Sequence, residues 1–196
     1  MSLLSRVNMP VFSAGGYPQI APADFRLAVT GLVAAPAVYT LDQIKAWPQS
    51  EVDARFASVS GFSVRAKWQG VAWADFLALA QPRPEASHAA FASWGGGYRT
   101  TVPLAELAAP RVLLCYAVED EPLEPDYGGP LRMIIPNLWG YKSAKWLKEV
   151  EFTDHMETGY WESRGYSEHG RIERGVTYDL NSGNRRVIEG GEILDF

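Results

Sequence analysis

The chain has 196 residues; 47% are hydrophobic, 21% are charged, and the formal net charge is −5. This length and composition predict one soluble globular domain, residues 1–196, with a sizeable core. The negative charge argues against nucleic-acid binding. The longest apolar runs fall far short of the roughly 18–20 residues that span a bilayer, and no signal peptide is visible. A single cysteine excludes an internal disulfide, so we expect a cytoplasmic protein without membrane association.

The first half of the chain predicts short strands that alternate with short helices. The stretch "FRLAVTGLV" alternates like a strand that ends at Gly31. Thr40 is the expected N-cap of a short helix that Pro48 closes. The stretch "ARFASVSGFSVRAKWQG" is typical of strand broken at Gly61, and "AWADFLALAQP" predicts a helix that ends before Pro82.

The second half predicts strands joined by glycine-rich and acidic turns. "HAAFASWGGGYRTTVPL" predicts a strand, a triple-glycine turn and a strand; "LAEL" predicts a helical turn. "RVLLCYAVEDEPL" predicts a buried strand that enters an acidic turn, and "LRMIIP" and "AKWLKEVEFTD" predict two more strands. Residues 1–9 are expected to be flexible and residues 155–196 to wrap the surface, ending in an edge hairpin or a mobile segment. Without a steady βαβ rhythm, the predicted class is α+β, with mixed sheets and short helices.

Residues 128–152, "GGPLRMIIPNLWGYKSAKWLKEVEF", place lysines in a segment that is otherwise suited to burial. Lys142, Lys145 and Lys148 lie between aromatic residues. Lysines in this setting most often form the solvated face of a half-buried sheet, with their stems over apolar neighbours.

The composition of the turn favours a second interpretation. Gly140 allows a close approach of the backbone, Ser143 offers a hydroxyl between two lysines, and Arg132 follows the Gly-Gly-Pro turn one strand earlier. Glycine turns with cations, hydroxyls and free N–H groups bind phosphate and pyrophosphate. The segment therefore predicts a site for a phosphorylated ligand, with flat apolar walls offered by Trp139, Tyr141 and Trp146.

Three blocks of the chain resemble the molybdopterin-binding domain of the sulfite oxidase family, above all its small single-domain bacterial members. The blocks are "RLAVTGLVAAPAVYTLDQIKAWP", "DEPLEPDYGGPLRMIIPNLWGYKSAKWLKEVEFTD" and "GYWESRGY", and the resemblance runs in order over about residues 10–166. It implies a mixed α+β fold around a deeply held molybdopterin that carries molybdenum. It also implies an oxidoreductase that acts on a small substrate.

The resemblance assigns cofactor-binding positions but leaves the catalytic residues unknown. In the family, the arginine after the Gly-Gly-Pro turn and the lysine–serine region hold the phosphate of the pterin. These roles carry over to Arg132, Lys142, Ser143 and Lys145. Tyr127 is a fifth cofactor-binding position, five residues before the arginine, where the family often has histidine or asparagine.

The metal side of the expected site departs from the family pattern. A cysteine thiolate of the family binds molybdenum and begins a Cys-Val-Thr-Gly-Trp-Ser-like run, whereas this chain reads "SVSGFS" with Ser58 at the ligand position. Ser58 is either a hard oxygen ligand or a small hydroxyl that the backbone satisfies. Cys115 lies in an apolar strand and is predicted to be a core residue. Gly95 replaces an acidic residue of the family, and Ser13 replaces a histidine.

Two functions therefore remain open, with a third that the retained cations disfavour. The first is a molybdopterin-dependent oxidoreductase, and the second is a non-catalytic module of the same fold that binds a pterin or another phosphorylated ligand. The third is a scaffold with an empty pocket, in which unpaired buried cations would be costly. We expect a small-molecule substrate or ligand, an unidentified redox partner protein, and a monomer or weak dimer. The three histidines are predicted to be solvated rather than metal-bound: His88, His155 and His169.

Overall fold

A computed structural model describes residues 2–191 and places them in two five-stranded sheets and a separate hairpin. The helices are short, and they connect strands without a regular βαβ alternation. The strands are β1 (Arg26–Gly31), β2 (Ala37–Thr40), β3 (Ser50–Ala57), β4 (Ser63–Ala72), β5 (His88–Ser93), β6 (Arg99–Pro103), β7 (Leu113–Val118), β8 (Glu121–Pro122), β9 (Arg132–Ile134), β10 (Leu147–Thr153), β11 (Gly175–Tyr178) and β12 (Arg185–Ile188). The helices are α1 (Leu3–Arg6), α2 (Leu41–Lys45), α3 (Trp73–Ala80) and α4 (Leu104–Leu107), and single 3-10 turns cover Pro125–Tyr127, Gly140–Lys142 and Glu162–Arg164.

The first sheet has the strand order β2-β1-β10-β5-β6 and contains one parallel pair, β1 with β10. Val150 of β10 lies opposite Val29 of β1 on one side and opposite Phe91 of β5 on the other. The second sheet has the order β3-β4-β7-β8, and β9 pairs with β7 in antiparallel register. Mixed sheets with short helices confirm the predicted α+β class.

Four buried aromatic rings organise the larger core. Trp73 and Phe76 come from α3, Phe91 comes from β5, and Phe152 comes from β10. The ring of Trp73 lies 5.2 Å from that of Phe76 and 5.8 Å from that of Phe91, between centroids. The rings of Phe76 and Phe152 stack at 6.4 Å. This cluster joins the helix layer to the centre of the first sheet.

The start of α2 and the end of α3 lie where local sequence features predict them. The Thr40 hydroxyl accepts a hydrogen bond from the Gln43 N–H, and the Gln43 side chain accepts one from the Thr40 N–H, at 3.2 and 2.8 Å. This capping box begins α2 at the predicted place. Helix α3 ends at Ala80, and Gln81 adopts a left-handed conformation just before the proline that the sequence marks as a stop.

The N-terminal segment contacts the body of the domain. Residues 2–9, expected to be flexible, begin with α1, whose Leu4 is fully buried in a second core beside Trp68. The hydroxyls of Ser2 and Ser5 donate to the Glu124 carboxylate at 2.8 and 2.5 Å, which fixes this helix to an acidic turn that is distant in sequence.

The edge hairpin expected within residues 181–196 is found in part. Strand β12 lies in that range, but its partner β11 precedes it, and within residues 2–191 the two strands form a hairpin separate from both large sheets. The last residues of that prediction, 192–196, lie outside the described part. Within residues 2–191, none of the helices has the length and apolar character needed to cross a membrane.

The buried aromatic cluster predicts a large loss of stability on truncation. Phe91→Ala should lower the free energy of unfolding by about 3–5 kcal/mol, because it removes a fully buried ring from β5, an interior strand of the first sheet. Val38→Ala, at a position that is 62% exposed, should change it by less than about 0.5 kcal/mol. Urea unfolding of both variants followed by circular dichroism measures the difference; similar losses would contradict the described core.

Candidate functional site

A cavity of about 280 Å³ is lined by both large sheets and by the loops that connect them. The second sheet contributes Phe56 from β3 and Arg132 from β9, and the first sheet contributes Ser93 from β5. The remaining walls come from five segments: residues 9–14, residues 58–62, the glycine turn after β5, residues 140–146, and the chain from residue 161 onward.

Arg132 is the most deeply buried cation of this cavity, with 1% of its surface exposed. Its guanidinium donates to the carbonyl oxygens of Tyr127 at 2.8 Å and Met133 at 3.2 Å, and lies 4.8 Å from the ring centroid of Phe56. Among residues 2–191 no carboxylate forms an ion pair with it. Burial lowers the pKa of Arg132 to about 10, so the group stays charged at neutral pH.

Lys145 is the second cation that lines the cavity. Its ammonium donates to the Phe12 carbonyl and lies 4.4 Å from the ring centroid of Trp146. Burial and the nearby charge of Arg132 lower the pKa of Lys145 to about 7, against a weaker opposing effect of Asp126. Two neighbouring cations without an ion-pair partner in the described chain make this end of the cavity suited to an anion.

Ser143 supplies a hydroxyl to the same cavity. It is 3% exposed, lines the cavity, and accepts a hydrogen bond from the Ile135 N–H at 3.0 Å. A hydroxyl that accepts one bond still has its own hydrogen to donate. Arg132, Lys145 and Ser143 are therefore three predicted binding residues that the fold brings to one cavity.

Lys142 does not line this cavity, because its ammonium faces a carboxylate instead. Lys142 is completely buried; it forms an ion pair with Glu162 and donates to the Thr101 carbonyl at 2.9 Å. The Thr100 hydroxyl donates to the same carboxylate at 2.6 Å. Burial lowers the pKa of Lys142, and Glu162 partly opposes this effect. The lysine thus holds the Gly140–Lys142 turn to β6 and to the turn at Glu162.

Tyr127 acts through its backbone rather than through its side chain. Its carbonyl accepts the hydrogen bond from Arg132, whereas its ring packs in the second core. The conformation of the chain before the Gly-Gly-Pro turn therefore orients the guanidinium.

Ser58 lines the cavity in the turn between β3 and β4. Its N–H donates to the Phe62 carbonyl at 2.8 Å, and its hydroxyl oxygen lies 2.9 Å from that of Ser60 and 3.3 Å from the Ser60 N–H. The hydroxyl is thus at the cavity and also takes part in the local turn. Within residues 2–191, no three histidine, cysteine or acidic side chains gather as a metal-binding group.

The other residues singled out on the metal side divide between cavity and core. Ser13 and Gly95 line the cavity. Cys115 is fully buried in β7, where burial raises the pKa of its thiol to about 12, and it does not reach the cavity. Next to the cavity-lining residues Ala14 and Gly95, the segments around Gly15 and Gly96 touch through their backbones: a Cβ atom on Gly15 would lie 2.2 Å from the Gly96 Cα.

Two polar groups of the cavity were missed by the sequence analysis. The Ser93 hydroxyl and the Trp94 indole N–H are buried, and neither has a hydrogen-bond partner in the described chain. Buried polar groups are rarely left unpaired, so these two favour a polar ligand beside them. The sequence feature that could have indicated these two residues is their position directly before the triple-glycine turn, of which Gly95 lines the cavity.

Comparisons with known proteins show the family of this chain. Residues 14–161 match the family described as the oxidoreductase molybdopterin binding domain. The uncharacterized oxidoreductase YuiH of Bacillus subtilis is 35% identical over 165 residues, which cover 83% of each chain. The mitochondrial sulfite oxidase of Drosophila melanogaster is 31% identical over 76% of this chain and 30% of its own length. A protein-methionine-sulfoxide reductase catalytic subunit, MsrP, of Ralstonia nicotianae is 28% identical over 76% of this chain and 50% of its own length.

The same fold occurs in a solved structure. The sulfane dehydrogenase SoxCD from Paracoccus pantotrophus superposes with a TM-score of 0.70 over 90% of this chain and 47% of that chain. At 19% identity this similarity shows the fold alone. The chain thus spans most of the Bacillus relative, but half or less of the other three proteins.

The ion pair beneath the cavity predicts a strong dependence of stability on Lys142. Lys142→Met should lower the free energy of unfolding by about 3–5 kcal/mol, because it leaves the Glu162 carboxylate buried without a counter-ion. The double variant Lys142→Met/Glu162→Gln should recover part of this loss, since glutamine can still accept from Thr100. Urea titration of the single and the double variant measures the two changes in unfolding free energy, and Lys148→Met, at an exposed position, is the control. A loss below about 1 kcal/mol for Lys142→Met would show that the pair contributes little.

The environment of Lys145 predicts pH-dependent anion binding. Sulfate, which keeps its charge over pH 5.5–8.5, should bind less tightly as pH rises through about 7, because Lys145 then loses its proton. The affinity should fall by at most about tenfold per pH unit. Titration calorimetry of wild type and Lys145→Met tests this, and the variant should bind more weakly and without this pH dependence. An equal pH dependence in the two proteins would assign the titration to another group.

Proposed function

The chain belongs to the oxidoreductase molybdopterin binding domain family, and we propose that it is a molybdopterin-dependent oxidoreductase that acts on a small substrate. The observation that carries the proposal is the pair Arg132, which is buried, and Lys145, which is half-buried; both line one cavity and neither has a carboxylate partner in the described chain. Unpaired buried charges cost several kcal/mol. A bound phosphate would offset that cost, and molybdopterin carries one.

The kinds of residue that line the cavity suit this cofactor. Arg132 and Lys145 would bind the phosphate, and the free hydrogen of the Ser143 hydroxyl would donate to it. Ser93 and Trp94 would satisfy polar atoms of the pterin with the hydroxyl and the N–H that lack partners in the described chain. The cavity of about 280 Å³ is close to the lower end, about 300 Å³, of typical small-molecule sites.

The two remaining predicted residues would hold the site in shape. Tyr127 would orient the Arg132 guanidinium through its carbonyl, and Lys142 would fix the Gly140–Lys142 turn through Glu162. We therefore treat both as positioning residues. Molybdopterin supplies the redox chemistry when it is bound, and the protein supplies position and electrostatics. Apolar side chains of the cavity, Phe56 and Phe62 among them, would limit the access of water.

Ser58 decides between this proposal and its alternative, a binding module of the same fold without redox chemistry. The alternative is favoured by one observation: the Ser58 hydroxyl already takes part in a local turn with Ser60. An alcohol is also a much weaker metal donor than a thiolate. The enzyme proposal requires Ser58 or a solvent molecule to complete the coordination of the metal.

The substrate and partners of the relatives remain properties of those relatives. The name of the Ralstonia protein describes a catalytic subunit, which implies a second subunit, and we propose a redox partner protein for this chain on that basis. The monomeric or weakly dimeric state and the cytoplasmic location stay predictions.

The decisive experiment measures molybdenum and pterin in protein made in a host that synthesises the cofactor. Elemental analysis gives the metal content, and fluorescence after acid oxidation gives the pterin content. Wild type should contain pterin. Lys145→Ala and Arg132→Ala should each lower cofactor affinity about ten- to a hundredfold, because each removes one charge-assisted hydrogen bond. Lys145→Ala is the decisive variant if Arg132→Ala fails to fold.

Ser58→Cys tests the metal side, with Ser60→Cys as its matched control in the same turn. The thiol at position 58 should raise the molybdenum content above that of wild type, whereas the thiol at position 60 should not. Equal and full molybdenum in wild type and Ser58→Cys would show that the serine site suffices. Pterin without molybdenum in wild type would favour the binding module, and neither pterin nor molybdenum in any of the proteins would contradict both proposals.

A further inference from the structure

The end of the chain completes the wall of the cavity. The family match ends at residue 161, yet Tyr166, Asp179 and Asn181 line the cavity together with Trp161. We call these four residues the tail subsite. Three of them lie beyond residues 14–161, and the cofactor proposal gives none of the four a role.

The tail subsite contains a buried negative charge. Asp179 is 3% exposed, and its carboxylate accepts from the Tyr166 hydroxyl at 3.0 Å, the Asn181 N–H at 3.1 Å and the Ser182 hydroxyl at 2.5 Å. Burial alone would raise the pKa of Asp179, but these hydrogen bonds outweigh it and hold the pKa below its usual value. Every one of these donors is neutral. Within residues 2–191, no lysine or arginine forms an ion pair with this carboxylate.

Aromatic rings surround the same part of the cavity. Tyr166 stacks on Tyr141 at 5.1 Å and lies 5.2 Å from Trp161, between ring centroids. Trp161 in turn lies 4.8 Å from Phe12, and all four rings line the cavity. Aromatic faces attract cations, above all where water is excluded, and a nearby carboxylate adds to that attraction.

Groups of opposite charge line the cavity and come from different parts of the chain: Arg132 and Lys145 are cations, and Asp179 is an anion. Arg132 lowers the pKa of Lys145, whereas the groups that shift the pKa of Asp179 all belong to residues 166–182. An anionic group is favoured beside Arg132 and Lys145 and disfavoured beside Asp179. A positively charged group is favoured at the tail subsite.

From this arrangement we infer that the substrate is a small cation whose quaternary or protonated amine binds at the tail subsite, beside Asp179 and against Trp161 and Tyr166. That this cation is a substrate rests on the proposed function, whereas the cation-binding site itself is argued from the geometry alone. A role of Asp179 in closing the β11–β12 turn accounts for its hydrogen bonds, and asparagine or serine would serve that role as well. The turn does not require a buried charge that faces a cavity.

Choline and its neutral isostere 3,3-dimethyl-1-butanol provide the test on the full-length protein. Titration calorimetry, supported by quenching of tryptophan fluorescence, should show choline binding at least about tenfold more tightly than the neutral alcohol. Similar affinities of the two probes would overturn the inference, and this comparison needs no variant.

Asp179→Asn should lower choline affinity about tenfold or more and leave sulfate binding at Arg132 and Lys145 unchanged. Asp154→Asn is the matched control, because that carboxylate is exposed and lies outside the cavity. Trp161→Leu should also weaken choline binding, and this variant tests the cation site if the Asp179 variant does not fold. Choline affinity that is unchanged in the folded variants would overturn the inference.

The two proposals fail in different ways. Loss of the choline preference with intact pterin content would overturn the cation subsite and leave the cofactor proposal standing. Absence of pterin with a retained choline preference would overturn the cofactor proposal and leave a cation-binding cavity.

Discussion

The buried ion pair between Lys142 and Glu162 is the interaction on which the site depends. It joins the turn that carries Ser143 and Lys145 to the chain that leaves the family domain at residue 161. Thr100 and Thr101 of β6 bind the same two groups, so the first sheet is part of the junction. Because both partners are buried, neither can exchange its counter-ion for water, and the turn and the tail are held together as one unit.

Because Glu162 balances the charge of Lys142, the electrostatic potential beside Arg132 and Lys145 is determined by these two cations. Their polar contacts in the described chain are with backbone carbonyls, which accept hydrogen bonds but carry no net charge. The opposite charge that belongs to the cavity lies at Asp179, on the tail. If both proposals hold, one small volume contains an anion-binding and a cation-binding region, and these would determine how a charged ligand is oriented in it.

Much of the fold could be predicted from the sequence because its signals are local. The capping box at Thr40, the strand end at Gly31 and the triple-glycine turn each involve residues only a few positions apart. The role of Lys142 could not be predicted this way, since its partner lies twenty residues later, on a segment expected to wrap the surface. The cavity-lining position of Asp179 was hidden for the same reason: in sequence it is an ordinary turn residue, and only the tertiary fold brings it beside Trp161 and Tyr166.

The backbone contact between Gly15 and Gly96 limits how the cavity can be remodelled. Where a side chain lines the cavity, shortening it would enlarge the cavity, but at Gly15 and Gly96 two segments of the chain already meet without side chains. Gly96 also has a positive φ of 63°, which other residues adopt only at a cost. A variant designed to admit a bulkier molecule therefore has to gain its space on the aromatic side, at Trp161 or Tyr166. The glycine contact leaves no side chain to shorten, so any enlargement of the cavity has to come from the aromatic residues.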